Sequence, residues 1–167
     1  MKKNIIPIII GILSVICLIS IGVMVVAINE TKASAQAEFV PPEFDQEAVV
    51  GVPEVDANLG WSRLFKEGMS FAAAVCGNVI VKDNKADIYF TSEEANEVWI
   101  KLRVLNQSGD ILGETGLLKP GEYVKSINFI EPVTDGEPIV FKIMSYEIDT
   151  YYSMGSITVN TVATVTN

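Results

Sequence analysis

The chain has 167 residues, of which 49% are hydrophobic, and its 12 Lys and Arg against 21 Asp and Glu give a net charge of −9. It contains no histidine, which excludes Ser-His-Asp and Cys-His catalysis and imidazole metal sites. The negative charge argues against nucleic acid as a partner, because phosphate binding needs a basic surface. The length is enough for one modest domain.

The first predicted element is an apolar segment at residues 5–28, which contains no charged side chain. A helix of this length spans about 30 Å of hydrocarbon, so we expect it to cross a membrane. Lys2 and Lys3 precede it and an acidic region follows it, so the positive-inside rule predicts a cytoplasmic tip at residues 1–4. The sequence therefore predicts a single-pass protein of the cell membrane whose C-terminal domain is extracellular.

Two outcomes are open for this apolar segment after export. Ala33-Ser34-Ala35 and Ala35-Gln36-Ala37 both have the small-x-small pattern that signal peptidase reads, so cleavage near Ala35 or Ala37 would release a secreted protein. The apolar run is, however, longer than the core of about 7–15 residues that is typical of a signal peptide. Length therefore favours a retained signal-anchor over a long, cleaved signal peptide.

Residues 29–60 are predicted to form an acidic, proline-containing stalk. Three prolines stiffen the segment, and its charged side chains from Glu38 to Gly60 are all negative. It also has more apolar residues than a spacer needs. We therefore expect part of the stalk to dock on the domain or on a partner.

From Met69 onward the hydrophobic pattern has a period of two, which is typical of β-strands with one buried face. In residues 98–104, for example, every second residue is aliphatic, and Trp, Lys and Arg stand between them. Seven or eight such segments, separated by turn residues, predict an all-β fold, an immunoglobulin-like antiparallel β-sandwich at residues 61–167. The predicted core is led by Phe71, Ile88, Phe90, Ile100, Leu102, Val104, Phe141 and Ile143.

The segment Leu-Lys-Pro-Gly-Glu-Tyr-Val at residues 118–124 resembles the Leu-x-Pro-Gly-x-x-Tyr segment of fibronectin type III domains, with one residue fewer before the tyrosine. The resemblance implies that Tyr123 is a tyrosine corner, in which the hydroxyl bonds back to the preceding turn.

The layout of the whole chain is similar to that of anchored, sandwich-bearing surface proteins of Gram-positive bacteria. Cys76 is the single cysteine after residue 28, which agrees with export in cells that use few disulfides.

Five aromatic residues are candidate ligand contacts. Aromatic faces stack on sugar rings and acidic neighbours accept hydrogen bonds from hydroxyls, as in carbohydrate-binding modules of the sandwich type. Two of the five fall in a predicted loop between strands, where ligand contacts are common. The alternative is that these side chains pack on the sheet, where aromatic residues are ordinary. The candidates are Trp61, Trp99, Tyr146, Tyr151 and Tyr152.

Calcium ligands are the second candidate chemistry. Asp83, Asn84 and Asp87 form one group of oxygen donors, and Asp135 and Glu137 form another. Neither has the ordered spacing of an EF-hand, and Asp and Asn are the residues that turns use. The sequence therefore predicts no metal site and no cofactor.

Catalytic chemistry is not indicated. The chain lacks a glycine-rich phosphate loop, a nucleophile elbow and a cysteine pair, and we predict that it is not an enzyme. A Lys–Asn isopeptide bond between Lys142 and Asn160, with Glu147 as proton carrier, would need burial of all three groups. The alternation of the last strand instead turns Asn160 toward solvent.

These observations together predict a non-enzymatic cell-surface protein. Its membrane contact is the segment at residues 5–28, and its β-sandwich serves adhesion, surface assembly or docking to an envelope protein. The alternative is a carbohydrate-binding module whose Trp and Tyr side chains contact a glycan. Nucleic acid is not an expected partner, because the chain is strongly acidic.

Overall fold

The computed structural model describes Ser20, residues 39–65, Gly68 and residues 71–166. The predicted cytoplasmic tip at 1–4, the membrane segment at 5–28 apart from Ser20, and the cleavage positions near Ala35 and Ala37 lie outside these residues. Within the described residues, no helix is long and apolar enough to cross a bilayer. The described residues from Pro41 onward belong to one compact unit, at residues 41–167.

The compact unit is all-β, as the sequence predicts. Its strands are β1 Val49–Val50, β2 Trp61–Leu64, β3 Ala73–Cys76, β4 Val79–Lys82, β5 Lys85–Ser92, β6 Val98–Leu105, β7 Ile111–Glu114, β8 Glu122–Asn128, β9 Pro138–Glu147 and β10 Ser153–Val165. A 3-10 helix at Ala57–Leu59 precedes β2. Strands β3 to β10 overlap the segments that the sequence predicts as strands, whereas the pattern predicts neither β1 nor β2. β1 has only two residues, and the half-buried ends of β2 enclose two exposed residues, so neither strand alternates.

The strands form a curled sheet whose neighbours are mostly antiparallel. Their order is β1-β8-β5-β4-β10-β9-β6-β7, and β2 and β3 branch from β5. The pair β4 and β10 is parallel. β10 pairs with β9 over residues 153–162 and with β4 only over residues 163–165, so it connects the two halves of the sheet.

The hydrophobic core lies on the inner face of this curled sheet. The eight core residues that alternation predicts are all buried in the structure, and Val79, Val81, Val124 and Ala163 join them. Each fully buried aliphatic or aromatic side chain of this size stabilises the fold by about 1.5–3 kcal/mol. A strand with one face in the core turns its other face outward, so the outward residues are free to form a binding surface.

Residues 43–51, which we call the strap, lie in the compact unit although they fall within the predicted stalk at 29–60. Phe44 and Leu117 form a parallel bridge: the N–H of Leu117 donates to the carbonyl of Glu43 and the N–H of Asp45 donates to the carbonyl of Leu117, both at 2.9 Å. Further along the strap, β1 pairs with β8. The strap therefore joins the segment after β7 to the strand β8.

Gly116 permits the close approach of the strap. A Cβ atom at this position would meet the backbone N and Cα of Asp45 and would lie 2.7 Å from the carbonyl carbon of Phe44. The N–H of Gly116 also donates to Oδ2 of Asp45 at 2.8 Å. A residue without a side chain is therefore needed where the two backbones cross.

Candidate aromatic binding surface

Trp99 lies at the centre of an outward-facing aromatic cluster. Its neighbours in β6, Val98 and Ile100, are buried in the core, so alternation turns the indole to the outer face, where it is half-buried. Tyr146 in β9 stands directly opposite Trp99 in the β6–β9 ladder. Cross-strand neighbours project to the same face, which places both side chains on one surface.

Two further rings complete the cluster, which we define as Phe44, Trp99 and Tyr151. The ring of Phe44 meets Trp99 edge to face, with centroids 4.8 Å apart and an interplanar angle of 83°. The ring of Tyr151 lies 5.0 Å from Trp99 at 54°. Both distances are in the range of favourable aromatic pairs, which contribute about 0.5–1.5 kcal/mol beyond their area burial.

The loop between β9 and β10 holds Tyr151 in an unusual backbone conformation. Tyr151 has φ +60° and Asp149 has φ +72°, a region that residues with a side chain rarely adopt. The loop is fixed by hydrogen bonds from the N–H of Tyr151 to the carbonyl of Glu147 at 3.1 Å and from the N–H of Glu147 to the carbonyl of Tyr152 at 2.8 Å. The backbone strain is thus tolerated where it directs the Tyr151 ring onto Trp99.

Basic side chains border the aromatic cluster. Nζ of Lys119 lies 4.9 Å from the centroid of the Phe44 ring, within the range of a cation–π contact. On the same face of β6, Lys101 and Arg103 bind the carboxylate of Glu114 at 2.8 Å each. Burial raises the pKa of Glu114, but hydrogen bonds and charge from Lys101 and Arg103 outweigh it, so the pKa lies below its ordinary value.

The structure brings three of the five predicted aromatic residues together, places Trp61 on another strand and leaves Tyr152 exposed beside Tyr151. Trp99, Tyr146 and Tyr151 share the outer face of β6 and β9 and its adjoining loop. Trp61 lies in β2 opposite Cys76, and its indole N–H donates to the carbonyl of Tyr89 at 2.9 Å. Tyr152 follows Tyr151, and 72% of its surface is exposed.

Phe44 is the contact that sequence reasoning missed. It stands in the acidic segment that was predicted as a stalk, more than fifty positions before Trp99, so no local pattern joins the two rings. The sequence signal for such a contact is the excess of apolar residues in that segment, which predicts that part of it docks on the domain or on a partner. The compact unit contains the strap in agreement with that expectation.

Tyr123, the predicted tyrosine corner, lies in β8, paired with Val49 of β1 and Thr91 of β5. The turn before it is closed by two other contacts. The N–H of Glu122 donates to the carbonyl of Lys119 at 3.2 Å, and the N–H of Lys119 donates to Oε2 of Glu122 at 2.8 Å. Neither contact involves the Tyr123 hydroxyl, so the corner stays a prediction.

The other candidate groups take part in turns or lie at the surface. Asp83 and Asn84 both have positive φ, as a tight hairpin turn between β4 and β5 requires. The carboxylate of Asp135 accepts the N–H of Val165 at 2.9 Å. Within the described residues, no group of three or more Cys, Asp or Glu side chains is placed to hold a metal ion. Asn160, the isopeptide candidate, is exposed, as alternation predicts.

Cys76 is buried in β3. Burial raises the pKa of its thiol to about 12, and the nearby carboxylate of Asp87 adds to the effect. The thiolate is therefore scarce near neutral pH, which makes this side chain a small core residue and not a nucleophile.

No protein-family model matches the chain, and no curated protein matches it.

Proposed function

We propose that the chain is a non-enzymatic binding module of the cell surface and that it docks a protein partner on the outer face of β6 and β9. The single observation that carries this proposal is the cluster of Phe44, Trp99 and Tyr151, which gathers three rings from three separate parts of the chain. Aromatic residues are enriched at the centres of protein–protein contacts, because they bury a large area with few rotatable bonds.

The surroundings of the cluster support a protein partner. Tyr146 extends the aromatic area along β9, Lys119 places a cation at its margin, and the ion pair of Arg103 with Glu114 adds polar groups there. A polar, charged rim around an aromatic centre is the usual composition of a docking surface. The partner surface that complements it carries apolar groups at its centre and carboxylates at its edge.

The N-terminal sequence supports presentation outside the cell. Residues 5–28 form an uncharged apolar segment after Lys2 and Lys3, which favours a single-pass anchor with the N-terminus inside. Cleavage near Ala35 or Ala37 would give the same domain as a secreted protein. In both cases the aromatic surface faces the extracellular space.

We also propose that the curled sheet closes into two packed layers of immunoglobulin-like type. The switch of β10 from β9 to β4 supports this arrangement, because strands that change partners in this way form the corners of sandwiches. The burial of core residues from β5, β6 and β9 in one cluster supports it as well.

Photo-crosslinking in intact cells followed by mass spectrometry tests the docking proposal. The full chain carries a photoreactive amino acid at Tyr146, and the variant series compares Tyr151→Ala with Phe65→Ser. Phe65 is an exposed aromatic residue that follows β2, outside the cluster, so it is a matched control. We expect one crosslinked protein that Tyr151→Ala reduces and Phe65→Ser leaves unchanged. Equal crosslinking in both variants would contradict the proposal.

A carbohydrate ligand is the second candidate, and the loop after β9 favours it. Tyr151 and Tyr152 follow Glu147 and Asp149 within a few positions of the chain, and ring faces together with acceptors are the combination that sugars use. Binding of the full chain to a glycan array, lost in both Tyr151→Ala and Tyr152→Ala, would select this candidate. Retained glycan binding in both variants would remove it.

A further inference from the structure

The outer edge of β10 is a second surface without an assigned role. β10 uses one edge to pair with β9 over residues 153–162, and it meets β4 on the other edge only at residues 163–165. Among the residues that the structure describes, no strand pairs with the outer edge from Ser156 to Asn160. The side chains of Ser156, Thr158 and Asn160 are exposed as well.

The hydrogen bonds at the end of β10 determine which of its amides face this edge. The N–H of Ala163 donates to the carbonyl of Glu137, and the carbonyl of Ala163 accepts the N–H of Gly136, both at 2.9 Å and both on the β9 side. Backbone groups alternate along a strand, so odd-numbered residues bond toward β9. The N–H and C=O of Ser156, Thr158 and Asn160 therefore point outward.

The strand that carries this edge has no charged side chain. Between Thr150 and Asn167 the sequence has no Asp, Glu, Lys, Arg or Pro, whereas the whole chain carries a net charge of −9. Natural sheets usually block such edges with lysine, proline or inward charges. The edge of β10 has none of these, and its bulge between Ser153 and Gly155 lies before the free portion.

A second copy of the chain fits this edge best. Two acidic copies repel one another over most of their surfaces, and the neutral strand is where they meet without opposing like charges. The edge is also complementary to itself: in antiparallel pairing about Thr158, Thr158 faces Thr158 of the second copy and Ser156 faces Asn160. Small hydroxyl and amide side chains pair well across strands.

We propose that two copies of this chain associate by antiparallel pairing of β10 with β10 of the second copy, centred on Thr158. The pairing adds about six backbone hydrogen bonds and joins the two sheets through a two-fold axis. It consumes the free edge of both copies, so the product is a closed dimer. It is independent of the aromatic surface and of the ligand that this surface binds.

The pairing involves only a few residues of each copy. The fraction of chains in the dimer therefore depends strongly on their concentration. An interface of a few strand residues buries less than the area of a standard stable complex. Chains confined to one membrane through residues 5–28 are at a high effective concentration, which favours the dimer there over dilute solution. The full chain in membranes is therefore the form in which the dimer is tested.

Disulfide trapping tests the register. In a Cys17→Ser background, Thr158→Cys places the two new thiols opposite each other, with Cα atoms about 5.5 Å apart, which is within the range for a disulfide. Ser156→Cys is the matched control, because in this register the two thiols are about 13 Å apart. Under mild oxidation we expect crosslinked dimer from Thr158→Cys at about tenfold or more the yield from Ser156→Cys. Equal yields, or no dimer from Thr158→Cys, would overturn the proposal.

A proline substitution tests the edge itself. Thr158→Pro removes an amide that points outward and leaves the β9 ladder intact, whereas Thr158→Val keeps the amide and the branched shape. With two differently tagged copies in one membrane, we expect Thr158→Pro to reduce co-purification by about tenfold and Thr158→Val to retain it. Thr158→Lys, which adds a charge without removing the amide, should also weaken association. Thermal unfolding shows that each variant is folded, and a folded Thr158→Pro chain that still associates would refute the pairing.

Discussion

At Trp99 a single side chain contacts aromatic rings from two distant parts of the chain. The alternation of β6 turns the indole outward, the strap supplies Phe44, and the strained loop after β9 supplies Tyr151. Each contact depends on a different backbone feature, so a change in any one of them alters the aromatic surface.

Gly116→Ala should detach the strap. The added Cβ would collide with backbone atoms of Asp45 and lie 2.7 Å from the carbonyl carbon of Phe44, and backbone cannot yield as a side chain can. We expect a loss of about 1–3 kcal/mol in the free energy of unfolding, the usual cost of overpacking, and a shift in tryptophan fluorescence as Phe44 leaves Trp99. Chemical denaturation measures the loss in the free energy of unfolding, and an emission spectrum measures the shift in tryptophan fluorescence.

Gly77→Ala is the control for this substitution. A Cβ at Gly77 would lie 3.5 Å from the carbonyl oxygen of Gly60, which is ordinary contact. Gly77→Ala should change the free energy of unfolding only slightly. An equal loss of stability in the two variants would show that the collision with the strap does not cause the effect of Gly116→Ala.

Glu114→Gln should destabilise the protein near neutral pH and not in acid. Lys101 is largely buried, and both Lys101 and Arg103 pair with the carboxylate of Glu114. The substitution removes the negative charge of this carboxylate. Because Glu114 itself is partly exposed, we expect a loss of about 1 kcal/mol and no more. The folded-state pKa of Glu114 is lowered, so its contribution is present above the unfolded pKa and is lost as pH falls through the folded pKa.

Denaturant midpoints of the two chains at about pH 7 and about pH 3 measure the effect of Glu114. The difference between wild type and Glu114→Gln should shrink at the lower pH. Glu131→Gln, at an exposed position, serves as the control with no expected change. A difference that persists undiminished in acid would contradict the ion-pair explanation.

At the scale of elements, sequence patterns predict strands that have one buried face and miss segments whose contacts are remote. Alternating apolar residues predict most of the strands from β3 to β10, and β5, β6 and β9 are the clearest examples. The strap was not predicted as part of the sheet, because its partner Leu117 lies far along the chain. For the same reason Phe44 was missing from the candidate site, whereas Trp99, Tyr146 and Tyr151 were found by residue type.

The loop between β9 and β10 holds Tyr151 in a strained backbone conformation that a substitution can relieve. Tyr151 holds φ +60°, which costs a residue with a side chain about 1–2 kcal/mol relative to glycine. Tyr151→Gly and Tyr151→Ala both remove the ring, but only glycine relieves the backbone. We therefore expect Tyr151→Gly to be more stable than Tyr151→Ala by about 1 kcal/mol in chemical denaturation. The opposite order would show that the loop conformation is not strained.

The whole molecule combines an acidic body with a long strand, β10, that carries no charged side chain. The net negative charge opposes contact between copies, the aromatic surface is the proposed docking site, and the free edge of β10 is the proposed site of pairing. These features lie on one curled sheet, because Trp99 and Tyr146 share the outer face with the exposed side chains of β10. A dimer through β10 would therefore extend the face that carries the aromatic surface.

Cys76 reports whether the compact unit unfolds as one. Burial raises the pKa of its thiol to about 12, so a thiol reagent at about pH 8 meets very little thiolate while the protein is folded. In a Cys17→Ser chain we expect labelling of Cys76 to rise with denaturant along the same curve as the fluorescence of Trp99 and Trp61. β3 pairs with β5, and its buried residues lie in the same core cluster as those of β6. We therefore expect β3 and β6 to unfold together. Labelling that precedes the fluorescence change would show that β2 and β3 open separately from the aromatic surface.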